Sequence, residues 1–248
     1  MTPRRSATVA IASTVVLYGV YRALGWFDFR LLQTPWSEGV LKVGLWALPS
    51  VAVLCLVWRQ SVANAITELG LATNPLVGYG FALAASLPML VGPAHGFVPT
   101  LRASAVFGTV ILAPITEEIL FRGLLFRQLY HRAGRPLLRA MLVSALAFAF
   151  AHLSPADFRG VSPVTPLAGQ VAMTTLVGLV LAWLVYRWDS VWPAIGVHAC
   201  LNLSWELYGS GLANGPKLFA LRAASIGLAI LLTLWFTKGR SGSGVAVG

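Results

Sequence analysis

Only eight acidic residues occur among the 248 of this chain, and two of them, Glu117 and Glu118, stand side by side within the apolar run 111–125. A charged side chain at mid-bilayer depth costs about 2.5 to 3.5 kcal/mol even on the lenient insertion scale, so adjacent carboxylates in such a run need partners. Arg122 follows Glu118 by four residues, one helical turn, with the acid on the N-terminal side, which is the favourable order for a pair. Glu118 is therefore the expected structural partner of Arg122. Glu117 points about 100° around the helix from its neighbour and has no cation at its own i+3 or i+4 position. Burial and a nearby carboxylate are the conditions that bring a carboxyl into the working range of a general base. The plainer alternative is a salt-bridged triad that only holds helices together.

Two further apolar stretches each carry a histidine. Phe148 and His152 are four residues apart and share one helix face; His198 and Asn202 repeat the spacing, and Glu206 extends that second stripe by a turn. A single intramembrane histidine reads as a hydrogen-bonded packing residue. Two of them plus a carboxylate pair, on three helices, read as one wet cavity, because each buried polar group needs a partner. Peptide hydrolysis needs a deprotonated water, donors aimed at the tetrahedral oxygen and a proton for the leaving amine. A glutamate, two histidines and an asparagine can supply all three. Glu117, His152 and His198 could instead ligate Zn²⁺, but no His-Glu-x-x-His run occurs and asparagine is a poor zinc ligand, so the favoured reading needs no cofactor, with zinc as the alternative. A Gly-x-Gly-Asp motif is absent, and Gly209-Ser210-Gly211 reads as a loop rather than as a buried serine nucleophile. Glu206 is a possible further participant or an interfacial residue. His95 and His131 fall in predicted loops and are assigned no function.

These residues need helices across a bilayer to hold them, and the composition provides them. Hydrophobic residues make up 57% of the chain and charged ones 10%, with a mean hydropathy of +0.77, which excludes a soluble domain. At roughly 20 apolar residues per span, the chain reads as an all-α polytopic bundle of about eight spans, near 6–24, 40–58, 75–91, 103–126, 137–153, 167–186, 192–208 and 218–236. The formal charge of +10 would suggest nucleic acid in a soluble protein, but the arginines flank apolar stretches and match anionic headgroups and orientation instead. An N-terminus in the cytoplasm puts ten of the eighteen Lys and Arg inside, including Arg127, Arg132, Arg135 and Arg139 in one basic loop. Both termini are thus expected to be cytoplasmic, in an inner membrane if the source is bacterial, with the first span uncleaved. Cys55 and Cys200 read as small core residues. The organisation expected is one membrane domain: N-terminal helices over 1–102, a core over 103–208, a last helix over 209–238 and a disordered tail over 239–248.

The run Glu117 to Arg122 resembles the EExxxR signature of the CPBP family, which holds the CAAX proteases and bacteriocin-processing enzymes. Phe148 to His152 is similar to its FxxxH motif and His198 to Asn202 to its HxxxN motif, in family order. Each pattern is weak alone; together, on successive apolar spans, they are specific. They cover roughly 103–208, and the first three spans carry no diagnostic residue. The resemblance implies a glutamic-type intramembrane endopeptidase, related to type II CAAX prenyl proteases, whose site opens toward the cytoplasm or the lipid. It implies that Glu117 activates water with help from His152, that His198 and Asn202 stabilise the oxyanion, and that Glu118, Arg122 and Phe148 order the site. The substrates it implies are membrane-anchored or lipidated proteins: a prenylated CAAX protein losing its C-terminal tripeptide, a secreted peptide, or a C-terminal sorting tail. The competing classes are a transporter that relays protons through the same groups and a non-catalytic membrane adaptor or immunity protein.

Overall fold

The computed structural model describes residues 1–26, 34–91, 102–153, 164–213 and 215–238. His95 and the tail 239–248, for which a loop and disorder are expected, lie outside them. The described residues form nine helices and no strand: α1 Pro3–Trp26, α2 Pro35–Val57, α3 Val62–Glu68, α4 Pro75–Val91, α5 Ala103–Arg132, α6 Leu137–Ala151, α7 Val164–Trp188, α8 Trp192–Ala213 and α9 Pro216–Phe236. Eight of them coincide with the eight predicted spans, and the short α3 is an addition. By length and composition α1, α2, α5, α7 and α9 can cross a membrane, while α4 and α6 are shorter apolar helices. α8 is long enough, but His198, Asn202 and Glu206 make it more polar. The loop expected at Gly209-Ser210-Gly211 is a further helical turn of α8. In a low-dielectric setting a backbone that leaves the helix strands its polar groups, and that cost outweighs the weak helix propensity of two glycines.

α5 is the axis of the bundle. Every residue from Thr116 to Leu129 is buried, so no lipid-facing stripe remains, which is the pattern of a helix enclosed on all sides. Its Ile119, Leu120, Phe121 and Leu124 join a cluster with Trp46, Leu54, Leu69 and Phe148. Leu125, Phe126 and Leu129 join a second cluster with α4, α7 and α8. α5 is also unevenly wound. Val106–Leu112 and Ile119–Arg132 take the wider π-type winding, on either side of the α-helical turn Ala113–Glu118. Pro114 stands at the start of that turn, where it removes a backbone donor and crowds the preceding turn. Pro49 follows the π-type stretch Val43–Ala47 of α2 in the same way.

Between helices in lipid, close approach rather than water exclusion sets the packing, and small residues permit it. α2 meets α5 at Gly39 and Gly108. A Cβ on Gly108 would lie 1.9 Å from the carbonyl oxygen of Pro35 and 2.1 Å from its carbon, both backbone atoms. Gly108→Ala is accordingly expected to cost about 1 to 3 kcal/mol, typical of overpacking. Gly227→Ala, where a Cβ has nothing within 4 Å, serves as the neutral control, and thermal unfolding of both purified variants in one detergent makes the comparison. α8 also approaches α4 closely, a Cβ on Gly196 lying 2.5 Å from the Ala82 Cβ.

Charged pairs gather at one end of the bundle, where α3, the α5–α6 turn and the α7–α8 turn meet. Arg127 pairs with Asp189 at 2.5 Å and donates to the Glu68 carbonyl at 2.6 Å; Arg132 pairs with the Glu68 carboxylate, and Arg187 donates to Thr237. α5 stops here at Gly134, which takes the left-handed conformation with φ +58° suited to a helix C-terminus.

Candidate active site

The α-helical turn of α5 presents Glu117 and Glu118 in different directions, as the 100° offset requires. Glu118 turns inward, fully buried. Arg122, also fully buried, lies 3.1 Å from its Oε1, donates to the Gly178 carbonyl at 3.3 Å and sits 4.2 Å from the centroid of the Phe148 ring. The pairing expected from the four-residue spacing is present. His198 of α8 reaches the same carboxylate, with Nδ1 2.9 Å from Glu118 Oε1. A carboxylate can only accept, so Nδ1 carries the proton and the Nε2 of a neutral His198 is a bare acceptor.

Glu117 faces the other way, into a cavity of about 220 Å³ lined also by His152, His198, Asn202, Thr109, Gly108 and the first turns of α2. His152 Nε2 and His198 Nε2 each lie 3.8 Å from Glu117 Oε2, longer than a hydrogen bond and suited to a bridging water. His152 caps the C-terminus of α6. Its Nδ1 is 2.8 Å from the Phe148 carbonyl, so here too the proton is on Nδ1 and Nε2 is free to accept. Neighbouring helices fix that cap: Tyr18 donates to the Ala151 carbonyl at 3.1 Å, Arg22 to the Leu153 carbonyl at 2.7 Å and Gln170 to the His152 carbonyl at 3.2 Å. The Phe148 ring stands edge-on to His198, centroids 5.6 Å apart, and walls the site. Asn202 donates through Nδ2 to the Thr109 carbonyl at 2.9 Å; a carboxamide has two such protons, so one remains.

The structure thus brings together Glu117, Glu118, Arg122, Phe148, His152, His198 and Asn202. Glu206 is half-buried one turn past Asn202 and is not among the residues lining the cavity. His131 lies near the C-terminus of α5, against Tyr130. The chief omission of the sequence reading is Lys42. Its position suggests an outer helix end, yet its side chain is 9% exposed and Nζ lies 2.9 Å from Glu117 Oε1. Glu117 therefore has a cation after all, supplied from α2, 75 positions away. The available signal was a lysine inside an apolar run, four residues after Glu38. Among the described residues no group of three or more His, Cys, Asp or Glu side chains is arranged to hold a metal ion, and the Lys42 ammonium rests on the Glu117 carboxylate.

No curated protein and no solved structure matches the chain. Residues 99–204 match the family model of the type II CAAX prenyl endopeptidase Rce1-like proteins, a stretch that contains both glutamates, both histidines, Arg122, Phe148 and Asn202. That family is one of peptidases acting within membranes, and a polytopic helical bundle with a polar cavity is the setting such a reaction needs. Over its site-bearing helices, residues 99–204, this chain is similar to the Rce1-like type II CAAX prenyl endopeptidase family.

Proposed function

We propose that the protein hydrolyses a peptide bond of a membrane-associated substrate with a water activated by Glu117, without a metal. The observation that carries this reading is Glu117 Oε2 set equally, at 3.8 Å, from two imidazole Nε2 atoms in one cavity. Oε2 takes a proton from water lying between the rings, and the oxygen adds to the scissile carbonyl carbon. The C–N bond then breaks, and the proton passes from Glu117 to the leaving amine. His152, held by its cap, accepts a hydrogen bond from that water. The spare N–H of Asn202 is one donor for the oxyanion. His198 can be the other only with both ring nitrogens protonated, and Glu118 at Nδ1 with Glu117 beside Nε2 flanks such an imidazolium with negative charge.

Orientation narrows the substrate. The cavity is lined by the N-terminal halves of α2 and α5, whereas Arg127, Arg132 and Arg187 lie at the other end of their helices. With the arginine-bearing end in the cytoplasm, the cavity faces the opposite side of the membrane or the lipid. That placement favours a secreted peptide or a C-terminal sorting tail over a prenylated cytoplasmic protein. The test uses the full chain in nanodiscs with a membrane-anchored fluorogenic peptide. Cleavage unaffected by 1,10-phenanthroline, and lowered about 10²-fold by His152→Ala, is expected; cleavage lost to the chelator and restored by zinc would overturn the metal-free mechanism.

A further inference from the structure

We propose that Lys42 is a positioning residue for the hydrolytic step: its ammonium grips one oxygen of Glu117, so that the other is the single basic oxygen offered to water between the two imidazoles. The inference rests on the reading of Glu117 as the base.

Lys42 is held more elaborately than a chance neighbour. Nζ lies 2.9 Å from Glu117 Oε1 and 2.9 Å from Glu38 Oε1. Tyr21 donates to the same Glu38 oxygen at 2.6 Å, and the Tyr21 and Trp46 ring centroids lie 5.4 and 5.2 Å from Nζ. Trp46 is itself fixed by donating to the Leu17 carbonyl at 3.1 Å. Two carboxylates and two aromatic faces form a cage for a buried cation, which is costly to keep charged without one. Lys42 and Glu38 also line the cavity, so the cage opens onto the reacting volume.

The chemical consequence follows from how a carboxylate behaves. Its two oxygens are equivalent, and an unrestrained group turns about its last bond to offer either. Adjacent Glu118 is already balanced by Arg122 and gives Glu117 no restraint. With Oε1 on the ammonium, rotation is blocked and Oε2 stays 3.8 Å from both Nε2 atoms. Misplacement of a reacting group by about 1 Å can cost on the order of 10²-fold in rate. The cluster then holds three carboxylates against two permanent cations, and the neutral imidazoles are the groups left to vary.

The experiment measures kcat and KM on the membrane-anchored peptide in nanodiscs for Lys42→Met, Lys42→Arg, Glu38→Gln, the double variant Lys42→Met/Glu38→Gln, and Glu117→Gln. The double variant removes the cation together with its second carboxylate, leaves the net charge of the cluster unchanged, and carries the test should the single variant not fold. Expected is a fall in kcat of about 10²-fold in Lys42→Met or the double variant with KM within about twofold, while Lys42→Arg and Glu38→Gln keep kcat within about fivefold. Wild-type kcat in Lys42→Met or the double variant overturns the inference, as does an equal loss in Lys42→Arg and Glu38→Gln, which would mark a packing role. If Glu117→Gln abolishes cleavage in either case, the general-base reading stands alone; if Glu117→Gln cleaves normally, that reading is what fails.

Discussion

Replacing Glu117 by glutamine is expected to lower cleavage by about 10³-fold, in the middle of the range for loss of a general base, while the bundle stays folded. The expectation of intact folding comes from the ion pair. A glutamine carbonyl can still accept from the Lys42 ammonium, which keeps Glu38 as its second partner, so no buried charge is stranded. What glutamine cannot do is take the water's proton. Glu117→Ala is the harsher change, since it opens space beside a buried ammonium, and the comparison of the two separates chemistry from stability. Single-turnover cleavage of the membrane-anchored peptide, alongside thermal unfolding of each variant, gives both readings. Near-normal turnover by the glutamine variant would remove Glu117 from the chemistry altogether.

Arg122→Met is expected to be the most destabilising single substitution in the site, by about 3 kcal/mol or more, because removal of one member of a buried ion pair leaves the other uncompensated. Arg122 is fully buried with Glu118. Its loss also takes away the donor to Gly178 that ties α5 to α7 and the cation above Phe148. Among the described residues Glu118 would keep only His198. Adding Glu118→Gln to Arg122→Met is expected to recover part of the loss by removing the stranded charge. Equilibrium unfolding in detergent with an added denaturant checks both, and an Arg122→Met protein within about 0.5 kcal/mol of wild type would show that the pair is not a structural strut.

What could be read from the sequence was what repeats within one helix. Glu118 with Arg122, Phe148 with His152 and His198 with Asn202 are all four-residue spacings, and helix geometry alone puts such side chains on one face. The apolar runs likewise marked eight of the nine helices among the described residues. What could not be read was contact between helices distant in the chain. His198 meets Glu118 across 80 positions and Lys42 meets Glu117 across 75, and no periodicity encodes either. Lys42 does not stand out in the sequence for a specific reason: a lysine near the start of a span is ordinarily an interfacial anchor that reaches toward headgroups, and the course of α2 across α5 at Gly39 and Gly108 is what turns it inward. The seven-residue α3 was missed because a stretch that short carries too little periodic signal to stand out between two longer apolar runs.

The burial of α5 from Thr116 to Leu129 restricts how this molecule can change. A helix touching lipid along one side can accept sequence drift there at little cost, and can rock or slide as an entrance gate. α5 has no such side over this stretch, so it serves as a fixed axle that carries both glutamates, and any movement admitting a polypeptide falls to the helices arranged around it.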